Sequence, residues 1–129
     1  MVIDTSAVVA VLLDEPTSAQ VTACIEVAEL RLMSAASLLE AAIIIENRKR
    51  DAGGRELDLF LYRSEIEIVP VDQNQAEIAR DGWRRFGKGR IPAGLNYGDC
   101  FAYALAKSRQ LPLLFVGHDF AQTDIEPAL

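Results

Sequence analysis

Hydrophobic and polar positions along this chain follow two periods. Four short apolar runs read as strands: the opening Met1-Val2-Ile3, Leu30 to Met33, Ile66 to Val71, and Leu113 to Val116. The third run is rich in β-branched residues and partly alternating, as a strand should be. Between the runs, apolar residues recur at helical spacing. Thr5-Ser6 precede a stretch from Ala7 to Leu13 that reads as a short helix. Asp14-Glu15-Pro16 breaks it, because proline cannot continue a helix interior. A helix restarts at Thr17-Ser18 and runs to about Glu29, with Val21, Ile25 and Ala28 on one face. The longest predicted helix runs from Ser34 to about Arg50, where Leu38, Leu39, Ala42, Ile43 and Ile45 give a broad buried face. Its basic end suits the negative pole of the helix dipole. Gly53-Gly54 is expected to end it, and Leu57 to Tyr62 to form another helix with Leu57, Phe60 and Leu61 inward. Asp72 to Phe86 reads as helical, with Ala76, Ala79 and Trp83 as one face. Gly87 to Leu95 reads as a glycine-rich loop, after which Asn96 caps a helix from Tyr97 to about Arg109.

The order is therefore strand, helices, strand, helices, strand, helices, strand. Alternation of this kind implies an α/β fold, with a mostly parallel sheet and helices on both faces. There is no repeat, low-complexity tract or internal linker. The length of 129 residues fits one domain.

Composition narrows the function classes. With 50% hydrophobic and 25% charged residues, the chain has the balance of a folded globular domain. Its longest unbroken apolar run, Ala7 to Leu13, falls well short of the roughly 20 residues of a membrane helix. Nothing at the start resembles an export signal, so a cytoplasmic location is expected. The net charge of −6 excludes a generally basic nucleic-acid binder. Basic residues do gather at Arg48, Lys49, Arg50 and Arg55, and again at Arg84, Arg85, Lys88 and Arg90. Either group is equally a solvated helix end or loop. Cys24 and Cys100 are not spaced as a metal-binding pair and read as small buried or half-buried thiols.

The candidate chemistry lies in acids. Asp4, Glu40, Asp99 and Asp119 each follow a predicted strand or lie near the start of a predicted helix. In an open α/β sheet those places share the end where ligands bind. Carboxylates gathered there repel one another, and a hard divalent cation such as Mg²⁺ would resolve the repulsion and drive chemistry on phosphate. Each acid also has an ordinary structural alternative. Asp4 can cap the next helix. Ser37-Leu38-Leu39-Glu40 matches a capping box, unless the helix already begins at Ser34. Asp99 suits a helix dipole from the first turn. Asp119 can cap a turn. Asp72 stands in the same kind of place, and is a plain cap if the third strand lies at the sheet edge. His118, the only histidine, lacks partners for a zinc site or a Ser-His-Asp hydrolase. No glycine loop ends in Gly-Lys-Ser/Thr, which argues against a nucleoside triphosphatase. What remains is metal-assisted chemistry run by carboxylates.

Taken together, Met1-Val2-Ile3-Asp4-Thr5-Ser6, the helical Glu40, Leu95-Asn96-Tyr97-Gly98-Asp99-Cys100-Phe101-Ala102-Tyr103-Ala104 and Leu114-Phe115-Val116-Gly117-His118-Asp119-Phe120 resemble a PIN-domain protein. The resemblance is closest to the VapC toxin family of bacterial type II toxin–antitoxin pairs, and it covers the whole chain. It implies a single PIN domain over residues 1–129, an α/β/α sandwich with a mostly parallel central sheet of four or five strands. It also implies an endoribonuclease that needs Mg²⁺ or Mn²⁺. Asp4, Glu40, Asp99 and Asp119 match the family's acidic quartet. The resemblance makes Asp4 and Asp99 the direct metal ligands, with Glu40 and Asp119 holding metal-bound waters or a second ion. Ser6 matches a small hydroxyl residue that orients the first aspartate, and Asn96 supports the helix start near Asp99. The implied partners are an RNA substrate, a cognate antitoxin and a second copy in a homodimer. His118 departs from the small polar or acidic residue the family more often carries before the last aspartate.

Two other readings compete. A haloacid-dehalogenase-like phosphotransferase also begins with a strand ending in aspartate, but it wants a second aspartate where this chain has Ser6. A non-cleaving PIN-like module that binds RNA or protein would share the fold without the chemistry.

Overall fold

The computed structural model describes residues 1–92 and 94–129. Its sheet has four parallel strands in the order β3-β2-β1-β4. They are β1 (Val2–Ile3), β2 (Leu32–Ser34), β3 (Glu67–Val69) and β4 (Leu113–Leu114). Parallel neighbours need crossovers, and helices supply them. α1 (Thr5–Leu12) and α2 (Ser18–Val27) link β1 to β2, and α3 (Ala35–Arg63) links β2 to β3. α4 (Gln73–Phe86) and α5 (Tyr97–Arg109) link β3 to β4.

Strand alternation divides the core into two layers. Val2, Leu32, Val69 and Leu113 pack with Leu95, Tyr103 and Leu105 beneath α4 and α5. The next residue of three of these strands, Ile3, Met33 and Leu114, packs with Ala7, Val8, Val21 and Ala41 beneath α1, α2 and α3. Successive side chains point to opposite faces, so a two-residue strand is enough to anchor both layers. The expected α/β/α sandwich is the observed one, with four strands.

Three details differ from the sequence-based expectation. First, α3 does not end at Gly53-Gly54. Its break is at Arg50, whose φ of 58° lies on the left-handed side, and helix resumes through both glycines to Arg63. A Cβ on Gly53 would lie 2.7 Å from Lys49 Cβ and 2.9 Å from Ile45 Cγ2. The glycine here permits close approach of the two halves of α3 rather than a stop. Second, Leu39 and Ile43 are 62% and 54% exposed. The buried stripe runs through Ser37, Ala41 and Ile45, four residues apart, and the continuous apolar run around it hid the period. Third, α4 turns Gln75, Ile78, Gly82 and Phe86 inward rather than Ala76 and Trp83. Gln75 Nε2 donates to Pro70 O at 3.1 Å, and Gly82 makes room for the Tyr103 ring. A satisfied amide and a missing side chain do not register as hydrophobic.

The strand order places β1 between β2 and β4, so the direction of winding reverses at β1. That switch point is where open sheets part their loops and leave a crevice. The outer side of β4 is covered by the tail. Leu113 N donates to Glu126 O at 2.9 Å, and Ala128 N donates to Leu113 O at 2.9 Å.

Candidate active site

Asp4 is the first residue after β1 and the N-cap of α1. Its Oδ2 accepts from Ser6 N at 3.0 Å and from Ser6 Oγ at 2.6 Å. Ser6 Oγ in turn accepts from Val116 N at 2.9 Å, which ties the loop after β4 to the acid. The capping alternative is therefore real, but it uses only one oxygen. Asp4 is 3% exposed, and its Oδ1 is buried with no hydrogen-bond partner. A buried carboxylate oxygen left unpaired is costly and calls for a ligand.

Asn96 and Asp99 form a reciprocal capping box at the start of α5. Asp99 N donates to Asn96 Oδ1 at 2.9 Å, and Asn96 N donates to Asp99 Oδ2 at 2.9 Å. The expected role of Asn96 at this helix start is what the geometry gives. For Glu40, the capping-box alternative fails. Ser34 caps α3 by accepting from Ala36 N at 3.3 Å, which leaves Ser37 buried inside the helix. Glu40 lies past the first turn, and its carboxylate rests against Gly98, where any Cβ would collide with it. Gly98 thus lets a carboxylate approach the positive N-terminal end of α5.

Asp4, Ser6, Glu40 and Asp99 line one open cavity of about 240 Å³. Asp119 does not line it. Asp119 is exposed on the turn after β4, but its charge reaches Asp99. His118 is exposed beside it. Asp72 caps α4 by accepting from Gln75 N at 2.8 Å, next to the edge strand β3 and outside the cavity. A larger groove of about 550 Å³ runs along α3 past Leu38, Ala42 and Asp58, away from the gathered acids. The smaller cavity is the one that gathers the acids. It also contains an acid that sequence reasoning treated only as a helix break, Glu15. Nothing in the hydrophobic pattern marks it, and its one signal is its place before Pro16.

The cavity resists negative charge. Burial pushes the Asp4 carboxyl above its ordinary value, and Glu40 adds to this, against the two bonds from Ser6. Burial pushes Asp99 up to about 7, helped by the charges of Asp4, Asp119 and Glu40 and opposed by the Asn96 N–H. Among the described residues no group of three His, Cys, Asp or Glu side chains is placed so as to hold a metal ion by itself. Mg²⁺ does not require one, since it takes one or two carboxylates and keeps several waters. The unpaired Asp4 oxygen, the hard oxygen donors and the like-charge crowding fit such an ion.

Relatives of known type share this whole architecture. The profile of the PIN domain matches residues 1–126. Ribonuclease VapC30 of Mycobacterium tuberculosis is 56% identical over 125 residues, covering 97% of this chain and 95% of that protein. A Ribonuclease VapC of Mycolicibacterium smegmatis is 55% identical over 125 residues, covering 97% of each. In three dimensions the fold is similar to that of Mycobacterium tuberculosis VapC20, a toxin described as cleaving the sarcin–ricin loop, with a TM-score of 0.78 at 12% identity. The alignment covers 96% of this chain and 95% of that one. Sequence identity over nearly the full length, on this fold, places the chain in the PIN-domain family, among the VapC ribonucleases.

Proposed function

We propose that the protein is the toxin of a type II toxin–antitoxin pair, an endoribonuclease that hydrolyses RNA phosphodiester bonds with Mg²⁺ or Mn²⁺. The observation that carries this reading is the buried Asp4, whose unpartnered Oδ1 belongs to a side chain lining the same cavity as Asp99 and Glu40. Asp4 and Asp99 would hold the ion, and Glu40 and Asp119 its surrounding water. Bound there, the ion would lower the pKa of water and offset negative charge on the scissile phosphate. Ser6 keeps Asp4 in one rotamer by bridging it to the Val116 N–H. The Asn96 N–H does the same for Asp99. Water adds to phosphorus, the bond from phosphorus to the 3′ oxygen breaks, and that oxygen leaves as a hydroxyl. The products are a 5′-phosphate and a 3′-hydroxyl. No histidine base is needed, consistent with the exposed position of His118.

The antitoxin partner of this reading carries a basic or bulky segment. An inserted arginine would neutralise the acids and compete with the ion. The homodimer expected from the family resemblance has a face available. Leu39, Ile43, Tyr97 and Trp83 are exposed along α3, α5 and α4, where two adjoining grooves share Tyr97 and Phe101. Apolar strips of this kind mark association surfaces. Among the described residues no helix is long and apolar enough to cross a membrane.

The test is end mapping of RNA incubated with purified protein and Mg²⁺ or Mn²⁺. Cleavage that leaves 5′-phosphates, and that stops with chelator or with Asp4→Asn, is the expected result. Intact RNA across a broad pool, with metal binding unchanged in Asp4→Asn, would leave the non-cleaving module as the better reading. Growth arrest on expression, relieved by the partner encoded beside it, tests the toxin role separately.

A further inference from the structure

The cavity continues past the acids as a groove between α1 and α3. Both helices start at the same end of the sheet, because each follows directly on a strand of a parallel pair. Asp4, Ser6 and Glu40 occupy that end. One turn further along, Val9 lies on α1 and Ile44 on α3, and both line the same groove. That advance is about 6 Å, four residues at a 1.5 Å rise. Ile44 is 36% exposed, so among the described residues the groove has an apolar wall partly open to solvent. Beyond it, past the end of α1, Glu15 completes the lining.

Glu15 is held there by backbone. Asp14 turns the chain with a φ of 51°. Glu15 N donates to Ala10 O at 2.9 Å, and Ser18 N donates to Glu15 O at 2.9 Å. Pro16 restricts Glu15 further toward extended conformations. The side chain forms neither an ion pair nor a hydrogen bond among the described residues, and no lysine or arginine lines the groove. A free carboxylate at the apolar end of a phosphate-cleaving groove would repel a backbone phosphate. It is suited instead to a donor.

We propose that Glu15 is a specificity-determining residue, which accepts hydrogen bonds from the Watson–Crick edge of an unpaired guanine lying between Val9 and Ile44, next to the scissile phosphate. Guanine presents an imino N–H and an amino group side by side, matching the two oxygens of a carboxylate. Adenine and cytosine present an amino group without that neighbouring N–H, and uracil places its N–H between two carbonyls that a carboxylate repels. Unpaired bases are read in this way where they are splayed out of the strand. At the other end of the groove, the unpaired and 97% buried Asp4 marks where the phosphate and its ion belong, as 3% of that residue is exposed. The inference rests on the ribonuclease reading and adds the base that the site selects.

The experiment is cleavage of a short single-stranded RNA randomised around one site, with all cut ends sequenced. Wild type is expected to enrich guanosine about tenfold or more at one nucleotide flanking the cut, the size of discrimination that one good bidentate pair gives. Glu15→Gln keeps the shape but exchanges one acceptor for a donor, and should lower that enrichment to roughly threefold or less. Glu26→Gln, an exposed glutamate on α2, should leave it as in wild type. A structural role for Glu15 would alter the melting temperature and overall rate without moving the base ratio. Cleavage without guanosine bias, or bias unchanged in Glu15→Gln, overturns this inference alone. No cleavage by wild type overturns the ribonuclease reading and this inference with it.

Discussion

Asp99→Asn is expected to stabilise the metal-free protein while abolishing its chemistry. In the folded chain Asp99 titrates near 7, mainly because it is buried, against an ordinary value of 3.8. Between those values the folded protein holds a proton that the unfolded chain has released. Stability is therefore greatest below about pH 4, falls as the pH rises toward 7, and levels off above it. The span is about three pH units, and at ~1.4 kcal/mol for each the full cost of ionising Asp99 would be ~4 kcal/mol. Water reaches the open side of the cavity, and screening reduces this to roughly 1–2 kcal/mol. Asparagine removes the charge and keeps an oxygen that can accept from the Asn96 N–H, so the cap survives. With chelator present, Asp99→Asn should melt about 4–8 °C above wild type at pH 8. At about pH 3, where Asp99 is protonated in the folded and the unfolded chain alike, the two should nearly coincide. Adding Mg²⁺ at pH 8 should raise the wild-type melting point and leave the variant unmoved. Differential scanning calorimetry at both pH values checks all three points. A variant no more stable than wild type at pH 8, or a gain as large at about pH 3, would refute the assignment of a costly charge to Asp99.

Other substitutions separate the site from its scaffold. Ser6→Ala removes the 2.6 Å bond to Asp4 and the acceptor of the Val116 N–H, and should cost about 1–3 kcal/mol in denaturant melts along with most RNA cleavage. Gly98→Ala drives a methyl group into the Glu40 carboxylate, and calorimetric titration should show Mn²⁺ affinity reduced about tenfold or more. An affinity within twofold of wild type would mean that Glu40 does not serve the ion. Tyr103→Phe loses the 2.8 Å bond from its hydroxyl to Asp124, but Asp124 keeps Lys107 at 3.0 Å and Arg85 at 3.3 Å. It should cost about 0.5–1.5 kcal/mol and leave RNA cleavage at the wild-type rate.

The parts of this molecule legible in the sequence are those governed by local rules. Asn96 and Asp72 were readable as caps because their side chains bond backbone a turn away. The parallel sheet was readable from the alternation of strands with helices. The gathering of Asp4, Glu40 and Asp99 followed from that topology together with the family resemblance. What escaped depends on through-space packing. Gly53 and Gly82 look like breaks or gaps in a pattern, yet one admits Ile45 and the other Tyr103. The burial of Gln75 depends on the Pro70 carbonyl it meets. Glu15 was hidden because its position depends on a turn that carries it back toward the cavity, and no periodicity encodes such a return.

The tail laid along β4 has a consequence for handling the protein. β4 is only two residues long, and its backbone groups on the outer side are met by Glu126 and Ala128. Stripped of those partners, β4 would present raw donors and acceptors to any passing strand, the usual origin of sheet-to-sheet aggregation. β4 also precedes the loop whose Val116 N–H fixes Ser6 and, through it, Asp4. A shortened or bulkily tagged C-terminus would therefore threaten solubility first and catalytic geometry second, so an affinity handle is better placed behind a long spacer.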